Sequence, residues 1–321
     1  MMSRFYIGPM SKNIVDSIIN FCELEKYNIG LIASRRQIDY DSGYVNNWNT
    51  SSFYNYVKGK TNKVLVCRDH GGIGQGEFYD NGSISFYNDV NLDIVHVDPW
   101  KRYPEVDDAI NETVESIKFI HHINNNCKFE VGTEESIQYY SAETLDYFLK
   151  RLQDMLGDIY NNVVYGVIQS GTKLIGRENH GIFNEERCKQ MVNVCHTNGL
   201  LSKEHNGDYL TNQEIRKRFD LGLDSINIAP EYGVFETQVI LDNLSVYDKQ
   251  ELYNICFKSE KWVKWFPTDF IPEDNKELLV EVCGHYLFDN EDFKKIKYKI
   301  VDIDNKIQVK LYEKLKNLRE I

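Results

Sequence analysis

The stretch GLLSKEHNGDYLTNQEIRKRF, residues 199–219, reads as one strand, one polar loop and the start of one helix. GLLSKE (199–204) suits a short strand, and HNGDY is polar and turn-forming. Thr211 and Glu214 have the spacing of a capping box, in which each side chain accepts from the other's backbone N–H. The fold depends on whether this unit recurs.

It does. Seven more runs have the same character: RFYIGP (4–9), IGLIAS (29–34), KVLVCR (63–68), DIVHVD (93–98), KFEVG (128–132), VVYGVIQ (163–169) and SINIAP (225–230). The eight begin roughly 25 to 36 residues apart, room for one crossover helix and short loops in each unit. The intervening segments carry helical stripes. Ile14, Ile18, Phe21 and Cys22 form one, and Leu145, Phe148, Leu149, Leu152, Met155 and Leu156 form another. A third, over 105–123, turns Ala109, Ile110, Val114, Ile117 and Ile120 inward. Ser141 precedes a helix, and Gly199 follows one where a left-handed cap suits glycine.

Eight βα units predict an α/β fold, a (β/α)8 TIM barrel over residues 1–244. A doubly wound open sheet would be expected to carry a glycine fingerprint after its first strand, and YIGPMSK is not GxGxxG. Residues 245–321 read differently, with Trp262, Trp265 and Phe266 followed by charged helical stretches, and predict a mainly helical C-terminal extension packed on the barrel.

Composition narrows the function. The chain has 321 residues, 42% of them hydrophobic, enough for one large core. A net charge of −12 without a basic stripe argues against nucleic acid as a partner. No window reaches the ~18 apolar residues of a membrane span, and the first residues lack the apolar segment of a signal peptide. Seven cysteines without a CxxC pair fit free thiols and a cytoplasmic location.

In such a barrel the active site gathers at the C-terminal strand ends. Three of those ends bring histidines: His70 after the third run, His180 after the sixth and His205 after the seventh. His96 lies inside the fourth run. Imidazoles and carboxylates suit a borderline divalent ion, with zinc the expected one, so His70, His205 and either His180 or Glu134 are candidate ligands. The chemistry would be Lewis-acid polarisation of a carbonyl, with Asp69 moving the proton. Arg35 and Arg36 read either as phosphate grips or as partners of Asp39 and Asp41. Ser34, Asp98, Gln169, Ser170, Asn206, Asn227 and Glu231 are the remaining candidate substrate contacts. GGIGQG after His70 lacks the GK[ST] end of a P-loop and reads as a close-approach loop. Trp100 either stacks on a sugar or caps the barrel rim.

Taken in order, GLIASRRQIDYDSGYVNNW, VLVCRDHGG, IVHVDPW, EVGTEE, VIQSGT, KEHNGDY and NIAPEYGVFET resemble the accessory, non-catalytic subunit family of class II D-tagatose-bisphosphate aldolase, over about residues 5–240. The resemblance implies a TIM barrel related to metal-dependent class II aldolases. It makes Asp69 the proton-transfer acid, His70 and His205 metal ligands, His180 a further ligand in a loop of different length, and Glu134 a carboxylate near the metal. Catalytic relatives follow the seventh-strand histidine with small glycine-rich residues that bind phosphate; here Asp208 stands there. Like charges repel in a partly desolvated site, so a phosphate is held elsewhere, by Arg35 and Arg36, or the substrate is not phosphorylated at that end. Asp208 would then accept sugar hydroxyl protons. The expected function is a metal-dependent enzyme of aldol and retro-aldol chemistry on a ketose or sugar phosphate, aldolase-like or C4-epimerase-like. The alternative is an accessory subunit that stabilises a separate class II aldolase catalytic subunit. A homo-oligomer is compatible with both.

Overall fold

The computed structural model describes residues 2–76, 82–133 and 139–321. Eight parallel strands close into a barrel: β1 (Phe5–Ile7), β2 (Gly30–Ser34), β3 (Val66–Gly71), β4 (Ile94–Val97), β5 (Lys128–Gly132), β6 (Val163–Ile168), β9 (Leu201–Glu204) and β10 (Ser225–Ile228). Closure comes from β1 pairing with β10, Tyr6 opposite Asn227. The short strands β7 (Leu174–Ile175) and β8 (Glu178–Asn179) form a separate antiparallel hairpin in the loop after β6. Seven of the eight barrel strands lie within their apolar runs, and the eighth overlaps its run. β3 is displaced, starting at Val66 and running on to Gly71, so that Asp69 and His70 belong to the strand rather than to the loop after it.

The helices start where the sequence offers caps. Ser11 accepts from the Ile14 amide at the head of Lys12–Glu25, Ser141 from Thr144 at the head of Ala142–Leu156, and Thr211 with Glu214 closes a full capping box on Asn212–Asp220. Gly199 follows the helix Glu185–Thr197 with φ 77°, a conformation that costs glycine little.

Strand alternation sorts the side chains into two cores. The outward faces join the helices in one large apolar layer. The inward faces of the lower barrel contribute Tyr6, Ile32, Cys67, Ile94 and Tyr165. Above them the interior turns polar, with Glu130 and Lys203 fully buried and 2.6 Å apart. Outside the barrel wall, Arg68 and Asp89 form a second buried pair, and Arg68 also donates to the carbonyls of Ala33 and Ile38.

After the helix Pro230–Asp242 the chain continues through helices Val246–Ser259, Lys276–Cys283, Glu291–Lys297 and Ile303–Arg319. The last returns to the first helix, where the Tyr312 ring meets Phe21 edge-on and Tyr312 and Arg319 both bind Glu25. The intervening segment reaches the C-terminal end of the barrel, where Lys264, Trp265 and Tyr286 help line the cavity described below. All seven cysteines are buried and free. No helix among the described residues is long and apolar enough to cross a membrane.

Candidate metal centre

Three imidazoles form a triangle at the C-terminal end of the barrel. The ring centres of His70, His96 and His205 lie 5.0 Å apart on every side. Asp69 joins them, and one ligand atom from each of the four residues falls within 4.8 Å of the others.

The backbone explains how consecutive residues share one site. In a regular strand Asp69 and His70 would face opposite sides of the wall. The β3–β4 pairing shifts register between Arg68 and Gly71, and His70 has φ 47°, left-handed for a residue with a Cβ. The irregularity turns both side chains toward the barrel mouth, a local strain of the kind that collects at functional sites. On the following strand, Ile94 and His96 share the inward face.

Hydrogen bonds fix which nitrogen His70 and His205 present. His70 Nδ1 donates to Asp98 at 2.6 Å, and His205 Nε2 donates to Glu130 at 2.5 Å. The other nitrogens, His70 Nε2 and His205 Nδ1, face each other at 3.3 Å. They stand 3.6 and 3.5 Å from Asp69 Oδ1. A carboxylate holding the far nitrogen of an imidazole is the arrangement that orients metal-binding histidines. Burial, reinforced by the other two rings, pushes His96 down to about 4 against the pull of Glu130, so it is neutral at pH 7. Burial alone would raise Asp98, but its His70 hydrogen bond and the Trp100 amide bring it to about 2. Glu130 behaves alike: burial raises it, and Lys203 and His205 overcome that and hold the carboxyl well below the usual range.

The donor set fits a divalent cation. Neutral imidazoles with a carboxylate suit zinc and its first-row neighbours. Asp69 Oδ1 is buried and has no hydrogen-bond partner among the described residues, and such an atom is costly unless something pairs with it.

Above the triangle lies a cavity of about 370 Å³. Of the residues singled out in the sequence, Ser34, Arg36, Asp69, His70, Asp98, His205, Asn206, Asp208 and Asn227 line it. Asn227 is buried, and neither polar atom of its amide has a partner among the described residues, so it is available to a ligand. Asp208 Oδ1 accepts from the amides of Ala229 and Glu231 at 2.9 and 2.8 Å and so anchors the start of the helix Pro230–Asp242. Burial and the Glu231 charge raise Asp208 to about 8 despite those amides.

Other expectations are placed elsewhere. His180 is exposed beside the β7–β8 hairpin, 3.0 Å from Glu178, and is not in the triangle; His96 supplies the third ring. Arg35 is buried in a two-pronged bond with Asp39, the salt-bridge alternative rather than the phosphate grip. Gln169 accepts from the Tyr140 amide and Arg187, Ser170 donates to Glu204, and Glu231 binds the Tyr209 amide and Lys314; none of the three lines the cavity. Glu134 lies outside the described residues. Trp100 is buried, donates to the Gly132 carbonyl at 2.6 Å and packs on Tyr140 and Phe148, so it caps the rim. Gln75, in the glycine loop, donates to Asp98.

No protein-family model and no curated protein matches this chain. Solved structures do. A probable tagatose 6 phosphate kinase from Sinorhizobium meliloti 1021 superposes with TM-score 0.78 at 13% identity, over 98% of this chain and 93% of that one. A fructuronate-tagaturonate epimerase from Cohnella laeviribosi gives 0.60 at 9%, over 97% and 81%. A fructose-bisphosphate aldolase from Campylobacter jejuni gives 0.58 at 10%, over 99% and 89%. What is shared is the barrel. At these identities the likeness is one of fold, and the chemistry is argued from the site.

Proposed function

We propose that this protein is a metal-dependent enzyme that breaks and re-forms the carbon–carbon bond of a ketose, with release of an aldehyde or inversion at C4 as the outcome. The observation that carries the reading is the triangle of His70, His96 and His205 closed by a buried Asp69 oxygen that has no hydrogen bond among the described residues. A divalent cation held there, zinc by donor type, would supply Lewis-acid polarisation of the ketose carbonyl.

The chain's own residues do the rest. Asp98 and Glu130 hold His70 and His205 in the tautomer that turns a lone pair inward. Asp69 takes the proton from the substrate hydroxyl as the adjacent carbon–carbon bond breaks, the bonding electrons passing into the carbonyl group to leave an enediolate; the proton returns to the hydroxyl oxygen when the bond re-forms, or goes to the enediolate carbon when the aldehyde leaves. Asn227 offers its amide to a neighbouring hydroxyl. Asp208, carrying its proton at neutral pH, donates rather than accepts, which reverses the role expected for it from the sequence. Two of the barrels described above are named as an aldolase and an epimerase, in keeping with this chemistry. The accessory-subunit reading has no use for a buried carboxylate oxygen that lacks a hydrogen bond among the described residues, and the site favours turnover over it.

The test is incubation of the metal-loaded protein with a panel of ketose phosphates and keto-uronates in D₂O, followed by NMR. The expected result is an aldehyde fragment, or a C4 epimer without deuterium at the inverted carbon. Protein that holds its ion and turns over none of the panel would contradict the proposal.

A further inference from the structure

The floor and the rim of the cavity differ in charge. On the floor the acids face the histidine triangle or the protein's own amides. Asp69 belongs to the metal group, Asp98 is bonded to His70, and Asp208 anchors a helix. The rim carries cations: Arg36 from the loop after β2, Lys101 from the loop after β4, and Lys264 from the turn Val263–Trp265 of the C-terminal extension. This is a local reversal in a chain of net charge −12.

Lys264 stands on an aromatic wall of that cavity, and Arg36 lines the same cavity. Lys264 Nζ stands 4.8 Å from the Tyr286 ring centre and 4.8 Å from that of Trp265. Tyr286 also feels the Arg36 charge, which works against the burial that raises its phenol. Tyr44 meets Tyr286 edge-on at 4.7 Å and completes an aromatic face. Arg36 is exposed, and its guanidinium has no ion-pair partner among the described residues although it sits at the mouth of an acidic protein. An ammonium over an aromatic face, with a guanidinium in the lining of the same cavity, suits a ligand with an anionic end and a carbon chain. The histidine triangle at the floor leaves this rim to the far end of the substrate.

We infer that Arg36 and Lys264 form an anion subsite, so that the substrate is a ketose bearing a terminal carboxylate or phosphate, gripped at the rim by the C-terminal extension while its carbonyl end reaches the histidine triangle. The inference rests on the proposed function. It gives the extension a direct part in substrate choice.

The test is calorimetric binding of D-fructose, D-fructose 6-phosphate and D-fructuronate to zinc-loaded wild type, Arg36→Ala and Lys264→Ala, with zinc content measured on each sample. At least one charged ketose binds wild type ten-fold or more tighter than D-fructose, and which one does distinguishes phosphate from carboxylate. Each substitution weakens that ligand five-fold or more, leaves D-fructose unchanged and leaves zinc content at the wild-type level. Neutral and charged ketoses binding alike, no ketose binding, or variants that bind the charged ligand as wild type does would overturn the subsite. Failure of the metal reading looks different: zinc is absent or turnover is nil while the charge preference and its loss in the variants persist.

Discussion

His205 Nε2 lies 2.5 Å from Glu130 Oε1, and the other oxygen of that carboxylate lies 2.6 Å from Lys203 Nζ, so one buried carboxylate both orients a candidate ligand and neutralises a lysine inside the barrel. Lys203 also sits 3.7 Å over the Tyr6 ring. The candidate metal centre therefore stands on a charged layer that the barrel interior must keep paired.

That pairing is measurable. Glu130→Gln keeps an acceptor for His205 and removes the countercharge of Lys203. Breaking a buried pair by removing one partner costs about 3–5 kcal/mol. Chemical denaturation of Glu130→Gln should show a loss of that order, and the Glu130→Gln/Lys203→Met double variant should recover most of it. The single variant should also hold its ion more weakly, because an amide acceptor orients His205 but raises the basicity of its ring less than a carboxylate does. Additive effects in the double variant would show that the pair is not coupled.

Asp208 predicts a pH dependence of stability. Its folded value, about 8, lies above the ordinary 3.8. A carboxyl raised on folding contributes stability while protonated. The contribution is complete below about pH 4, is lost as pH rises toward 8, and falls by up to about 1.4 kcal/mol per pH unit in between. Asp208→Asn retains an acceptor for the Ala229 and Glu231 amides and cannot ionise. Melting temperatures between pH 5 and 9 should show wild type losing stability relative to Asp208→Asn as pH rises. Parallel curves would remove Asp208 from the account.

Asp69→Asn separates ion binding from proton transfer. The three imidazoles remain, so most of the ion should be retained. Turnover of a substrate found in the NMR screen should fall by about 10²–10⁴, the range supplied by a positioned acid or base. A variant within ten-fold of wild type would mean that another group carries the proton.

The barrel was legible because each unit repeats the same signals. Apolar runs, caps such as Thr211–Glu214 and helical stripes all agree, and each of the eight strands falls in or overlaps one of the eight runs. Three of the four residues of the candidate centre were legible too, because Asp69, His70 and His205 sit at strand ends. His96 was hidden by its place within a strand, where a histidine ordinarily reads as core. A clue lay in parity: in DIVHVD, Ile94 and His96 share a face that is opposite to Val95 and Val97, and in LLSKEH, Leu201, Lys203 and His205 do the same. His180 was misplaced because the loop after β6 folds into its own hairpin and carries the ring away. That Asp69 and His70 face the same way depends on a register shift and a left-handed residue that period-two reasoning forbids. The rim depends on Lys264 and Tyr286, which are distant in sequence from every strand.

The most direct test of the central claim is elemental analysis of purified wild type, His96→Ala and His180→Ala after equilibration with zinc. The account predicts about one ion per chain in wild type and in His180→Ala, and well under half of that in His96→Ala. A chain that binds no zinc, or one in which His180→Ala loses the ion while His96→Ala keeps it, would contradict the triangle as the metal centre.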